Sequence, residues 1–170
     1  MSDIRVTYIG LISFMGGLIA LVTGSIFSLI ITRTLTPEEY GHWGLIFSVI
    51  SYFAMLIPMF AYWSTREIAR KKDSGKTSVL STIGFSIISS TIFIPIALIV
   101  SFQTGSNQTD FLFATILIPA IFINGILASI SLGYKPQVIS FSSISFGLVQ
   151  VPSVLFFVYF LDMGIIGIIL

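Results

Sequence analysis

Five stretches of this chain, each 23–25 residues long, contain no aspartate, glutamate, lysine or arginine: 8–32, 41–65, 79–102, 111–133 and 138–161. As a helix, a stretch of that length reaches ~35 Å, enough to cross a hydrocarbon core of ~30 Å with some tilt. A membrane strand needs only ~10 residues and alternates polar with apolar side chains. No such alternation is sustained here, so the stretches read as helices. Charged residues make up 9% of the chain, against about 25% in soluble domains, and cannot cover a water-exposed surface. The expectation is an all-α, polytopic transmembrane helix bundle forming a single domain over 1–170, with five full spans at these positions. Residues 165–170 read as the start of a sixth helix, as in a piece of a longer protein.

The connections at 33–40, 66–78, 103–110 and 134–137 are short and rich in turn formers such as Thr36-Pro37, Ser74-Gly75 and Lys135-Pro136. Successive helices are therefore expected to be antiparallel neighbours. The first span is too long for the apolar core of a signal peptide, and no Ala-x-Ala site follows it. Lysine and arginine set the orientation. Placing the amino terminus in the cytoplasm puts Arg5, Arg66, Arg70, Lys71, Lys72, Lys76 and Lys135 inside and leaves Arg33 outside with Glu38, Glu39, Asp110 and Asp162. That asymmetry obeys the positive-inside rule and predicts a multi-pass protein of the plasma membrane.

A net charge of +1 gives no electrostatic case for nucleic acid as a partner. With no cysteine and one histidine, His42, there is no thiolate chemistry and no histidine cluster for a metal. No catalytic triad, paired-carboxylate site or phosphate loop is present, so neither an enzyme nor a cofactor is expected. The Asn107-Gln108-Thr109 sequon lies too near the membrane to be expected to carry a glycan. His42, beside Trp43, reads as an interfacial residue.

Four features within the spans bear on function. Gly16, Ala20, Gly24 and Ser28 stand four apart on the first helix, a groove into which another helix can pack. Pro58, Pro95, Pro119 and Pro152 each remove a helical hydrogen bond and favour a kink. Asn124 and Gln150 lie near the middle of the fourth and fifth spans, where an unpaired amide is costly; each should face protein or a wet cavity. The fifth span opens with Ser140, Ser142, Ser143 and Ser145, wet or bonded back to the helix.

The first connection, Thr32-Arg33-Thr34-Leu35-Thr36-Pro37-Glu38-Glu39-Tyr40-Gly41, resembles the first outer loop of the polysaccharide and O-antigen flippases of the multidrug/oligosaccharidyl-lipid/polysaccharide exporter superfamily. Thr36 stands where those proteins commonly have glycine. Thr65-Arg66-Glu67-Ile68-Ala69-Arg70 is similar to the run that opens their first inner loop. The resemblance implies most of the first of two lobes around a central cavity, which moves lipid-linked oligosaccharide across the membrane by alternating access. Its implied partners are membrane lipid, a lipid-linked sugar and the remaining half of the transporter. Arg33 and Arg66 would then meet the sugar's phosphates at the two mouths or anchor their helix ends at the interface, and Asn124 and Gln150 would line the cavity or bond between helices. A multidrug exporter of the same superfamily and a small non-transporting membrane subunit are the competing readings.

Overall fold

The computed structural model describes residues 6–70 and 73–169, with the backbone alone at 6–9. Arg5, Lys71, Lys72 and Leu170 lie outside the described residues. The fold is all-α: α1 Val6–Thr34, α2 Pro37–Ala54, α3 Ile57–Ala69, α4 Gly75–Thr104, α5 Gln108–Ala114, α6 Leu117–Tyr134, α7 Gln137–Val154 continuing as a π-helical turn Leu155–Phe160, and α8 Gly164–Ile169. Four of these segments are long and apolar enough to cross a membrane, Gly10–Thr34, Gly75–Thr104, Gln108–Tyr134 and Gln137–Phe160, and α2 with α3 make a fifth if counted as one bent span. Large apolar side chains such as Leu21, Phe102 and Phe146 are exposed, as expected of a surface solvated by lipid.

The long segments run up and down. One end of the bundle, the basic face, carries Arg66, Arg70, Lys76 and Lys135 among the described residues. The other, the acidic face, carries Glu38, Glu39, Asp110 and Asp162 with Arg33.

Each helix begins and ends for a local reason. Thr36 caps α2: its hydroxyl accepts from the Glu39 N–H at 3.3 Å, and the Thr36 N–H donates to Glu39 Oε2 at 2.8 Å. This is a capping box with Pro37 in the first turn, where its missing N–H costs nothing. Asn107 caps α5 by accepting from the Thr109 N–H at 3.1 Å. Gly105 ends α4 in the left-handed region, φ +67°, which only glycine adopts cheaply.

The four prolines do not act alike. The second expected span is two helices bent by 43°: α2 stops at Ala54, four residues before Pro58, where the proline ring would meet that carbonyl. The fourth is interrupted in the same way at Thr115, four residues before Pro119. At both breaks short i→i+3 bonds close the turn, Leu56 N–H to Phe53 O and Ile116 N–H to Phe113 O, each 3.1 Å. Pro95 sits inside the unbroken α4, itself exposed, with the fully buried Phe93 and Ala97 two residues to either side. Pro152 lies in α7 just before the π turn, where Leu161 N–H reaches back five residues to Phe156 O at 3.1 Å.

The interior is of two kinds. Toward the acidic face Ile46, Ile50, Phe93, Ala97, Phe111, Ala114, Ile118, Phe122, Ile165 and Ile169 form one hydrophobic core from α2, α4, α5, α6 and α8. Toward the basic face small hydroxyls predominate among the buried residues, Ser64 on α3, Ser78, Thr82, Ser86 and Ser89 on α4, and Ser129 on α6, with Ile126 beside the last, while the acidic end also buries Ser101 and Ser106. Most return a hydrogen bond to their own helix, as Thr82 does to Ser78 O at 2.8 Å and Ser129 to Gly125 O at 2.8 Å. Hydroxyls satisfied in this way let helices approach closely without a partner across the interface.

Candidate functional site

α7 packs against α1 on one side and α6 on the other. The α1–α7 contact is close because small residues meet there. A Cβ on Gly16 would stand 3.2 Å from Ser140 Cβ, and one on Gly147 would stand 2.6 Å from Thr23 Oγ1. Ser140 also donates to Ser13 Oγ at 3.2 Å.

Of the four small residues singled out on α1, Gly16 is buried in this contact, whereas a Cβ on Gly24 would meet nothing within 4 Å and Ser28 is exposed. Ala20 borders open space. The seam follows Gly16 and Thr23 on α1 and Ser140, Gly147 and Val154 on α7, a spacing of seven, the period at which two nearly parallel helices keep the same faces together.

Between the α1 and α6 walls, with α7 as the floor, runs a groove of about 740 Å³. Its polar lining is Thr23 from α1, Asn124 and Ser131 from α6, and Ser142, Ser143 and Gln150 from α7. Leu127, Ile139 and Phe146 supply apolar surface. A second space of about 350 Å³ shares Ala20, Ile139 and Ser143 with the groove and continues past Ser13 to Pro136, in the connection between α6 and α7. Side by side, the two spaces reach from mid-depth to the basic face. Beyond Gln150 the lining ceases to be polar: α7 and its π turn bury Val154 and Val158, and α1 buries Ile31.

The two mid-span amides thus come together on one groove, from neighbouring antiparallel helices. Neither lies in the hydrophobic core. No lining residue is ionisable, so hydrogen bonding through amides and hydroxyls, each able to donate and to accept, is the chemistry the groove offers. Arg33 and Arg66 are elsewhere. Arg33 is exposed in the last turn of α1 at the acidic face, Arg66 is exposed near the end of α3 at the basic face, and neither borders the groove.

A separate pocket of about 400 Å³ on the acidic face collects Glu38, Glu39, His42, Asn107, Asp110 and Asp162 beside the start of α8. Among the described residues no group of three or more His, Cys, Asp or Glu side chains is placed to hold a metal ion.

Sequence reasoning missed the tightest contact in the bundle. Gly125, Ser129 and Gly133 stand four apart on α6 and receive α3. A Cβ on Gly125 would meet Ile57 Cγ2 at 2.5 Å and one on Gly133 the Thr65 carbonyl oxygen at 2.8 Å, while the Thr65 hydroxyl donates to Ser129 O at 3.0 Å. The signal was as visible as the one on α1. It fixes the rotation of α6: with the Gly125 face turned to α3, Asn124 is turned to the groove. Comparison with protein-family profiles, with curated proteins and with solved structures finds no match to this chain.

Proposed function

We propose that this chain forms one side of a membrane pathway for the polar headgroup of a lipid, an oligosaccharide carried on a polyprenyl phosphate, whose tail stays in the bilayer. The observation that carries this reading is the groove itself. Its amides and hydroxyls lie at mid-depth between helices that are otherwise apolar, and with the space beside it the groove reaches the basic face. Polar side chains at that depth are costly unless protein, water or a solute meets them.

On the positive-inside rule we read the basic face as cytoplasmic, with the amino terminus inside; the plasma membrane is what the flippase reading adds. The groove then opens to the side on which lipid-linked sugars are assembled for export. A second lobe facing the groove would enclose it, and rocking of the two would alternate access without covalent chemistry. A multidrug exporter is less well served, because a lipophilic cation calls for a carboxylate and the groove has none.

The test is leucine at Asn124 and Gln150 together, in the transporter complete with its second lobe, reconstituted into vesicles with a fluorescent lipid-linked oligosaccharide. Translocation should fall by on the order of tenfold or more, the loss of about two buried hydrogen bonds, with expression unchanged. Undiminished translocation overturns the reading. Loss of expression makes the amides structural.

A further inference from the structure

We infer that the groove selects an uncharged, polyhydroxylated headgroup and that the phosphate linking it to lipid stays outside, at Lys135. This rests on the reading above and narrows it to a substrate class. The lining offers Asn124, Gln150 and four hydroxyls but no cation. Sugar hydroxyls donate and accept, as amides and serines do, so a neutral sugar can exchange its water for these partners at little cost. A carboxylate or phosphate taken to mid-depth would lose its hydration with nothing of opposite charge to replace it, a penalty of several kcal/mol per ion. Phe146 supplies the flat apolar surface that the C–H face of a sugar ring covers.

Charge becomes available only where the path reaches the basic face. There the path ends at Pro136, and the residue before it is Lys135. Lys135 is exposed, and its backbone is held at the end of α6, where its N–H donates at 2.7 Å to the carbonyl of Ser131, itself a groove residue; its long side chain lies with the ammonium 5.6 Å from the exposed Tyr134 ring centroid. It is a point charge one residue from the end of the path, on a stem that can reach a phosphate whose position is not tightly fixed. Lys135 adjoins Pro136, a lining residue of the path, whereas Arg66, the residue first expected to play this part, and its neighbours in sequence line neither space.

The experiment measures equilibrium binding to the whole chain in lipid nanodiscs with three probes: a polyprenyl-diphosphate-linked trisaccharide of neutral hexoses, the same compound with one hexuronic acid, and a phosphate-free glycolipid bearing the neutral trisaccharide. The neutral diphosphate probe should bind at least about tenfold tighter than the uronic one. Lys135→Gln should weaken the diphosphate probe and leave the phosphate-free one unchanged, and Gln150→Lys should bring the uronic probe level with the neutral one. Equal binding of neutral and uronic probes by the unaltered chain overturns the selectivity and leaves the pathway reading standing. Lys135→Gln acting on both neutral probes alike removes Lys135 as the phosphate contact. Binding of none of the three overturns the pathway reading and this inference with it.

Discussion

Gly133 and Gly24 look alike in the sequence, each a member of a row of small residues spaced four apart, yet their surroundings demand different things of them. A methyl on Gly133 would meet a backbone carbonyl, that of Thr65, at 2.8 Å, and relief requires moving α3 off α6. A methyl on Gly24 would meet nothing within 4 Å. Gly133→Ala should therefore cost about 1–3 kcal/mol, the usual penalty of overpacking. Gly24→Ala should be neutral or slightly stabilising, since alanine is the better helix former by up to about 1 kcal/mol. Thermal unfolding in one detergent compares the two; equal midpoints would mean that α3 and α6 do not pack as described. The same scale explains the turn on which the flippase resemblance leans. Thr36, Pro37 and Glu39 are what a capping box with an early proline needs, so local helix chemistry accounts for three residues of that motif without reference to a substrate.

At the scale of elements, the break before Pro58 falls near the middle of its span and that before Pro119 near the acidic-face end of its own, and each break includes the residue whose carbonyl a proline ring would strike or the one next to it. Pro58→Ala restores the missing donor and should straighten α2 and α3. With helical rises of 1.5 Å per residue, removing the 43° bend lengthens the distance from Gly41 to Ala69 by roughly 3 Å. Spin labels on cysteines at those exposed positions can read this, because the chain has no cysteine of its own. An unchanged distance would assign the bend to packing, in particular to Ile57 pressed on Gly125. The helices were legible because lipid imposes length and the charged connections mark the ends. The breaks were half legible: Pro58, Pro95 and Pro119 give the same signal, yet α4 runs unbroken past Pro95, and burial does not separate the cases, since the break before Pro119 lies among the buried Ala114, Ile118 and Phe122. The groove was legible as two amides at matching depth. Its floor and walls were not, because the period of a helix shows that one face is small or polar without showing which neighbour meets it.

For the molecule as a whole, charge and polarity run the same way. The basic face has the hydroxyl-rich interior and the mouth of the groove, and the acidic face has the Ile and Phe core with α8 packed into it. Satisfied hydroxyls contribute close contact but little of the burial that apolar side chains give, so the two halves are held differently, the basic half by close helix approach at Gly16 and Gly133 and the acidic half by apolar burial. Impermeant thiol labelling of intact cells tests orientation and opening together. Cysteine at Gln103, exposed at the acidic face, should react from outside; Ser106 nearby is a poor site because it is buried against Thr104, 2.7 Å away. Cysteine at Thr77, exposed in the first turn of α4, should react only after permeabilisation, and so should cysteine at Ser143, where the groove and its continuation meet. Reaction at Thr77 in intact cells reverses the orientation. Ser143 reacting together with Gln103 and not with Thr77 places the opening at the acidic face instead. Ser143 reacting only with a lipid-soluble reagent means that acyl chains fill the groove, and a sugar pathway through it then falls.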